Sequence, residues 1–217
     1  MSELTLVIGN KNYSSWSLRP WLLLKHAGIP FKEMRIPLYV GDWQAEMLKY
    51  SPSGKVPALR DGGLMVWDSL AICEYIAEHF PEHLLWPKDK EARAVARSVS
   101  AEMHSGFANL RQNMTMNCRK HYPGKGRAPG VQEDIDRITA IWNDCRARFG
   151  TSGDFLFGQF SIADAMFAPV TTRFITYDMP LDPVSAAYVK AVQALPAMQE
   201  WHAAARDETE VIEQYEY

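Results

Sequence analysis

Serine hydroxyls are concentrated just before a predicted helix, in the segment YSSWSLRPW that spans residues 13–21. The first turn of a helix has unpaired N–H groups and the positive end of the helix dipole, so it attracts an anion such as a thiolate. Ionising half of a free thiol at pH 7 requires its pKa to fall by ~1.5 units, which is about 2 kcal/mol. One serine O–H donated to the sulfur contributes ~1.5–3 kcal/mol. The simpler interpretation is that these serines only cap the helix, with the N-cap near Ser17.

Two further segments combine turn chemistry with possible ligand contacts. The segment SPSGKVPAL, residues 51–59, places Val56 and Pro57 at the start of a predicted strand, where proline is tolerated. The segment WDSLAICEYIAEHF, residues 67–80, sets Asp68 and Ser69 where a strand turns into a helix. These two residues cap the helix in the plainest interpretation. In the alternative, Ser69 binds a ligand carboxylate and Asp68 faces a ligand ammonium.

The predicted elements that position these segments follow the order βαβ, a partly helical piece, then ββα. A βαβ unit implies two parallel strands joined by a crossover helix. The predicted ranges are strands at 4–8, 31–38, 56–60 and 64–67, helices at 17–27 and 69–80, and a partly helical piece at 41–50.

The chain after residue 81 is predicted to be a linker followed by helices alone. Residues 82–90 carry Pro87 and charged side chains, which is typical of a linker. The basic loop over residues 118–127 and the acidic tail over 207–217 are both expected to be solvated. The predicted helical ranges are 91–121 as one long helix or a kinked pair, 132–149, 161–177, and 184–206 with a break near Pro196.

The order of these motifs is similar to that of the cytosolic glutathione transferases. The segment FSIADAMFAPVTTRF, residues 160–174, has Ser161 and Asp164 at capping-box spacing and resembles the capping motif of the family's helical domain. Residues 14–19 resemble the serine-serine-cysteine-serine-x-arginine pattern of the zeta class, with Trp16 in place of the cysteine. The resemblance implies a thioredoxin-like domain over residues 1–81, a linker over 82–90, and an all-helical domain over 91–217.

The resemblance also implies roles for individual residues, carried over by position. Ser14 would stabilise the glutathione thiolate, with Ser15 close by. Glutathione itself would be held by Lys55, by the backbone of Val56 beside a cis-Pro57, and by Asp68 and Ser69 at its γ-glutamyl end. The pocket for the second substrate is predicted to include Trp16, Arg19, His104, Arg111 and Arg173.

The function implied by the resemblance is activation of glutathione, a co-substrate, and its addition to a small electrophile. One alternative is glutathione-dependent cis–trans isomerisation of a maleyl-type acid, the maleylacetoacetate isomerase reaction. A second alternative is a non-catalytic binding protein built on the same scaffold. The family resemblance further implies a homodimer.

The overall composition argues against some classes of binding partner and indicates a cellular compartment. The net charge of -3, from 23 basic and 26 acidic side chains, gives no electrostatic attraction to nucleic acid or to a membrane surface. No apolar run approaches the ~20 residues that span a bilayer, and the first residues lack a signal-peptide pattern. The 3 cysteines include no close pair, which fits a reducing compartment. We therefore expect a cytoplasmic protein without a metal site.

Overall fold

The computed structural model describes residues 3–217, which begin with a four-stranded mixed sheet. Its strand order is β2-β1-β3-β4, in which β1 and β2 are parallel and the other pairs antiparallel. The helix α1 (Ser15–Ala27) connects the parallel pair, as the βαβ pattern predicts. The strands are β1 (Leu4–Ile8), β2 (Lys32–Arg35), β3 (Ala58–Asp61) and β4 (Leu64–Trp67).

Helices cover both faces of this sheet. Because successive strand residues point to opposite faces, Leu6 of β1 joins the main core with α1 and α3 (Ser69–His79). The next residue, Val7, joins a smaller core with Met47 of α2 (Trp43–Leu48). The thioredoxin-like arrangement predicted for this part of the chain is therefore confirmed.

The rest of the chain is helical. Residues 91–121, predicted as one long helix or a kinked pair, contain a break. Residues 91–121 do not form one long helix, because the chain turns at Gly106 and Phe107 and leaves helical geometry at Met114. The domain limits at residues 81 and 91 stay predictions. The helices are α4 (Lys90–Ser105), α5 (Ala108–Asn113), α6 (Val131–Phe149), α7 (Ile162–Thr176), α8 (Pro183–Gln193) and α9 (Pro196–Asp207).

Helix α7 forms the centre of the helical part and packs against α1 and α4. The capping box predicted at its start is confirmed: Ser161 donates both its N–H and its hydroxyl to Asp164 Oδ2, at 2.8 and 3.1 Å. Asp164 Oδ1 accepts from the N–H of Leu156 and the hydroxyl of Tyr188, both at 3.1 Å. Burial raises the pKa of Asp164 to about 6. This carboxylate ties the start of α7 to α8.

The start of α1 differs from the prediction. The N-cap is Ser14, whose Oγ accepts from Ser17 N at 3.3 Å, so the expectation of a cap near Ser17 is wrong. Ser17 Oγ instead accepts from Gly9 N, at the end of β1, at 3.1 Å. Because the helix starts earlier than predicted, Pro20 lies inside it rather than in its first turn.

The acidic tail is docked on the protein, so the expectation that it is solvated is wrong. Glu208 accepts from the backbone N–H groups of Lys11 and Asn12, at 2.7 and 3.0 Å. Glu216 accepts from the hydroxyl groups of Tyr13 and Tyr122. The tail therefore returns to the loop that leads into α1.

The basic loop is also only partly solvated. Arg119 donates to the carbonyl oxygens of Glu208 and Glu210 and, at 3.0 Å, to the hydroxyl of Tyr13. One member of this loop thus serves to hold the tail.

Within residues 3–217, every helix is too short or too polar to cross a bilayer.

Candidate active site

The residues predicted to hold glutathione come together around one cavity of about 410 Å³, called the first cavity below. It is bounded by the start of α1, the residues before β3, the turn from β4 into α3, and α4. Two exposed indole rings, Trp16 and Trp67, stand at its edge. Its lining residues are Trp16, Ser53, Lys55, Val56, Pro57, Trp67, Asp68, Ser69 and His104.

The peptide bond between Val56 and Pro57 is cis, as the resemblance implies. Pro57 is buried, whereas Val56 is partly exposed and Lys55 is exposed at the cavity. The segment before β3 therefore borders the cavity.

Asp68 has a strained backbone, and both oxygens of its carboxylate contact the protein. Its φ is +78°, a conformation that costs a non-glycine residue about 1–3 kcal/mol and is common at functional sites. Its Oδ1 caps α3 by accepting from the N–H groups of Leu70 and Ala71, at 2.9 and 3.2 Å. Its Oδ2 lies 3.0 Å from His104 Nε2 of α4. The side chain is nevertheless 42% exposed, so a ligand can reach it.

Ser69 and Arg19 form a buried hydrogen-bonded pair beside Asp68. Arg19 Nη1 donates to Ser69 Oγ at 3.4 Å, and its guanidinium lies 4.3 Å from the centre of the Trp16 ring. The assignment of Arg19 to the second-substrate pocket stays a prediction. Arg19 is fully buried and lines neither this cavity nor the next. Its position on the inward side of α1, beneath Trp16, explains this.

A second, smaller cavity of about 130 Å³ lies on the other side of Trp16 and is called the second cavity. It brings together Ser15, predicted to lie close to the thiolate, with Trp16, Arg111 and Arg173, which were predicted for the second-substrate pocket. His104, also predicted for this pocket, lines the first cavity instead. The lining residues are Tyr13, Ser15, Trp16, Arg111, Thr115, Met116, Arg173 and Tyr215.

The two candidate catalytic serines have different surroundings. Ser14 Oγ accepts from Ser17 N and donates to Ser17 Oγ at 2.7 Å, and it lines neither cavity. Ser15 lies on the wall of the second cavity, and its hydroxyl has no hydrogen-bond partner among residues 3–217. Both side chains are largely buried, with 7% and 6% exposure.

Positive charge is concentrated around the second cavity. The Arg111 guanidinium lies 4.7 Å from the centre of the Trp16 ring. Burial lowers the pKa of Arg111 to about 10. Burial, and to a lesser extent repulsion from Arg111, lowers the pKa of Arg173 to about 9. In the described structure, Arg19, Arg111 and Arg173 each keep at least one buried N–H group without a hydrogen-bond partner. Such groups favour an anion nearby.

Comparison with known proteins identifies the family. The model of the glutathione S-transferase N-terminal domain matches residues 13–79, and that of the C-terminal domain matches residues 127–204. Maleylacetoacetate isomerase of Rattus norvegicus is 31% identical over 90% of this chain and 90% of its own. The chain belongs to the glutathione S-transferase family. A zeta-class glutathione S-transferase of Euphorbia esula is 28% identical over 86% of this chain and 84% of its own.

Solved structures of glutathione S-transferases have the same fold. A glutathione transferase homologue from Burkholderia, solved with bound glutathione, has a TM-score of 0.73 and 24% identity, covering 95% of this chain and 100% of its own. A diazinon-metabolizing glutathione S-transferase of the silkworm Bombyx mori has a TM-score of 0.74 and 18% identity, covering 94% and 97%. The predicted family and two-part fold are thus confirmed, and this glutathione S-transferase is an enzyme.

Sequence reasoning missed several residues around the second cavity of this glutathione S-transferase. Tyr13 directly precedes the serines, and the sequence of this segment alone indicates no role for it. Tyr215 comes from the tail, and its ring lies 5.9 Å from that of Tyr13. No local sequence signal places Tyr215 there. In the described part of the chain, no group of three or more His, Cys, Asp and Glu side chains is arranged to hold a metal ion.

Proposed function

We propose that this enzyme binds glutathione in the first cavity, stabilises its thiolate at the start of α1 and adds it to a small electrophile. The observation that carries the proposal is the first cavity itself. It joins the cis-proline segment, the Asp68-Ser69 pair and the start of α1 in one space of about 410 Å³. The Burkholderia homologue with bound glutathione supports the choice of ligand.

Each part of glutathione has a complementary group in the first cavity. Val56 lines the cavity and its backbone suits the cysteinyl amide, and Lys55 provides a nearby positive charge. Ser69 Oγ, already bonded to Arg19, suits the γ-glutamyl carboxylate, with Arg19 adding positive charge behind it. Asp68 Oδ2 suits the γ-glutamyl ammonium because the carboxylate is still exposed. Opposite charges therefore meet at both groups of the γ-glutamyl end.

The thiolate is assigned to the Ser14 hydroxyl. As the N-cap, Ser14 Oγ accepts from Ser17 N, and this bond leaves the O–H free to rotate about the C–O bond. The O–H then exchanges a neutral acceptor, Ser17 Oγ, for a charged sulfur, and charge-assisted hydrogen bonds are roughly twice as strong as neutral ones. Ser17 keeps its hydrogen bond from Gly9 N.

Ser15 is the alternative donor. Its hydroxyl has no partner among the described residues and faces the second cavity, next to Trp16. Because Trp16 borders both cavities, a sulfur that passes the edge of its ring meets Ser15 rather than Ser14.

The test combines binding with turnover. Trp16 and Trp67 line the first cavity, so glutathione titration should change the tryptophan fluorescence. A chromogenic halo-arene then reports conjugation. Asp68→Asn keeps the shape but removes the charge that meets the ammonium, and it should weaken glutathione binding. If this variant binds glutathione and turns over as the wild type does, the proposed mode of binding is wrong.

The second candidate function is isomerisation of a maleyl-type acid. The unpaired N–H groups of Arg111 and Arg173 favour an electrophile that carries a carboxylate, and the rat relative is named a maleylacetoacetate isomerase. Trp16 stands where the zeta-class pattern has cysteine, which argues for conjugation rather than isomerisation. Incubation with maleylacetoacetate and glutathione distinguishes the two, because isomerisation regenerates free glutathione and conjugation consumes it.

The remaining partners are also proposals. We propose a homodimer with two-fold symmetry in the cytoplasm, with no nucleic-acid or membrane partner and no metal. Light scattering should give about twice the chain mass of 24.6 kDa. A single species at the chain mass would contradict the dimer.

Non-catalytic binding is disfavoured because the relatives named above are enzymes.

A further inference from the structure

His104 reaches from the helical part of the molecule into the first cavity. It lies at the end of α4, and its Nε2 is 3.0 Å from Asp68 Oδ2. Its ring packs edge-on against Trp16, with 5.4 Å between ring centres. The side chain is 26% exposed, so the ring is fixed between these neighbours while one part still borders the cavity.

The surroundings of His104 favour the neutral ring. Burial lowers the pKa of His104, Asp68 opposes this, and Arg19 of α1 and Arg111 of α5 lower it further. A neutral imidazole carries its proton on one nitrogen only. Nδ1 is buried without a partner, whereas Nε2 faces a carboxylate, so the proton belongs on Nε2. His104 is therefore a neutral donor to Asp68.

We propose that His104 is a positioning residue for glutathione: it fixes the Asp68 carboxylate in the orientation that receives the γ-glutamyl ammonium. The inference rests on the proposed function and adds a residue of α4 to the glutathione site. Asp68 Oδ1 is occupied by two backbone N–H groups, so Oδ2 is the oxygen available to the ammonium. His104 Nε2–H uses one lone pair of Oδ2 and leaves the other for the γ-glutamyl ammonium.

A neutral donor holds the carboxylate without cancelling its charge. A protonated histidine would pair with Asp68 and compete with the ammonium, and its removal would then tighten glutathione binding. A neutral histidine leaves the full negative charge for the ligand, and its removal frees the carboxylate to rotate. The two mechanisms thus predict opposite changes in affinity.

The experiment compares two ligands in three proteins. The ligands are glutathione and its glutaryl analogue, which lacks only the α-amino group of the γ-glutamyl residue. The proteins are the full-length wild type, His104→Ala and His104→Gln, in which the side-chain amide replaces the Nε2–H donor. Dissociation constants come from tryptophan fluorescence at pH 7, and melting curves confirm that each variant is folded.

We expect His104→Ala to weaken glutathione binding roughly three- to tenfold, the range for one hydrogen bond. The glutaryl analogue should bind wild type and His104→Ala equally, because it has no ammonium for Asp68 to receive. His104→Gln should restore most of the glutathione affinity.

Tighter glutathione binding by His104→Ala would overturn the positioning role in favour of competition. An equal loss for both ligands would overturn it in favour of a general effect on cavity shape. Both of these results leave the proposed function standing. Absence of glutathione binding by the wild type would overturn the proposed function itself.

Discussion

Arg173 provides a test of the proposal that the second cavity binds the electrophile. Its Nε donates to the carbonyl oxygen of Met114 at 2.7 Å, and its Nη1 is buried without a partner in the described structure. An electrophile with a carboxylate gives Nη1 an acceptor of opposite charge, and one such hydrogen bond contributes about 1.5–3 kcal/mol. Arg173→Ala should therefore lower kcat/KM for an acidic electrophile roughly 10- to 150-fold.

The same substitution should change kcat/KM for a neutral electrophile much less, because no carboxylate partner is lost. The assay therefore uses two substrates that differ only in a carboxylate and its methyl ester. Met116→Leu is the matched control, since Met116 lines the same cavity without a charge, and it should leave the acid-to-ester ratio unchanged. An equal loss on acid and ester in Arg173→Ala would refute the reasoning, because the arginine would then act on cavity structure alone.

Two further predictions concern the groups that hold this site in place. Burial opposes ionisation of Glu216, but hydrogen bonds from Tyr122, Tyr13 and Asn117 outweigh it and lower its pKa. Its contribution to tail docking is therefore present above the usual glutamate pKa of about 4.3 and is lost as pH falls through the folded pKa. Glu216→Gln should speed amide hydrogen exchange in the tail at pH 7, and unchanged exchange would contradict the docking argument. Asp164→Ala leaves the buried donors of Ser161, Leu156 and Tyr188 unpaired, so urea unfolding should show a loss of about 3–5 kcal/mol. A loss below about 1 kcal/mol would exclude Asp164 as the residue that fixes the start of α7.

The parts of the structure that sequence predicted correctly depend on local signals. The turn between the strands predicted at 56–60 and 64–67, the helix start at Asp68 and the capping box at Ser161 each occupy a few consecutive residues. Turn and cap chemistry acts over that distance, so a single segment is sufficient to recognise it. The family resemblance added the cis bond before Pro57, which the segment alone did not favour.

The parts that sequence did not predict depend on distant contacts. Ser14 and Ser17 are both good capping residues, and the hydrogen bond from Gly9 N engages Ser17 elsewhere. The tail is acidic and looks solvated, but the backbone partners of Glu208 and the Tyr13 partner of Glu216 lie near residue 12, almost the whole chain length away. Only the folded arrangement brings these groups together.

We propose that a serine hydroxyl at the start of α1 stabilises the glutathione thiolate. The most direct measurement is a pH titration of the thiolate ultraviolet absorbance of bound glutathione, in the wild type and in Ser14→Ala, Ser15→Ala and Ser17→Ala. We expect a thiol pKa below the free value of about 8.5 in the wild type and a rise of roughly one to two units in Ser14→Ala. A shift in Ser15→Ala instead would move the role to the neighbouring hydroxyl. If all three variants titrate like the wild type, none of these serine hydroxyls sets the thiol pKa, and the proposed stabilisation of the thiolate is contradicted.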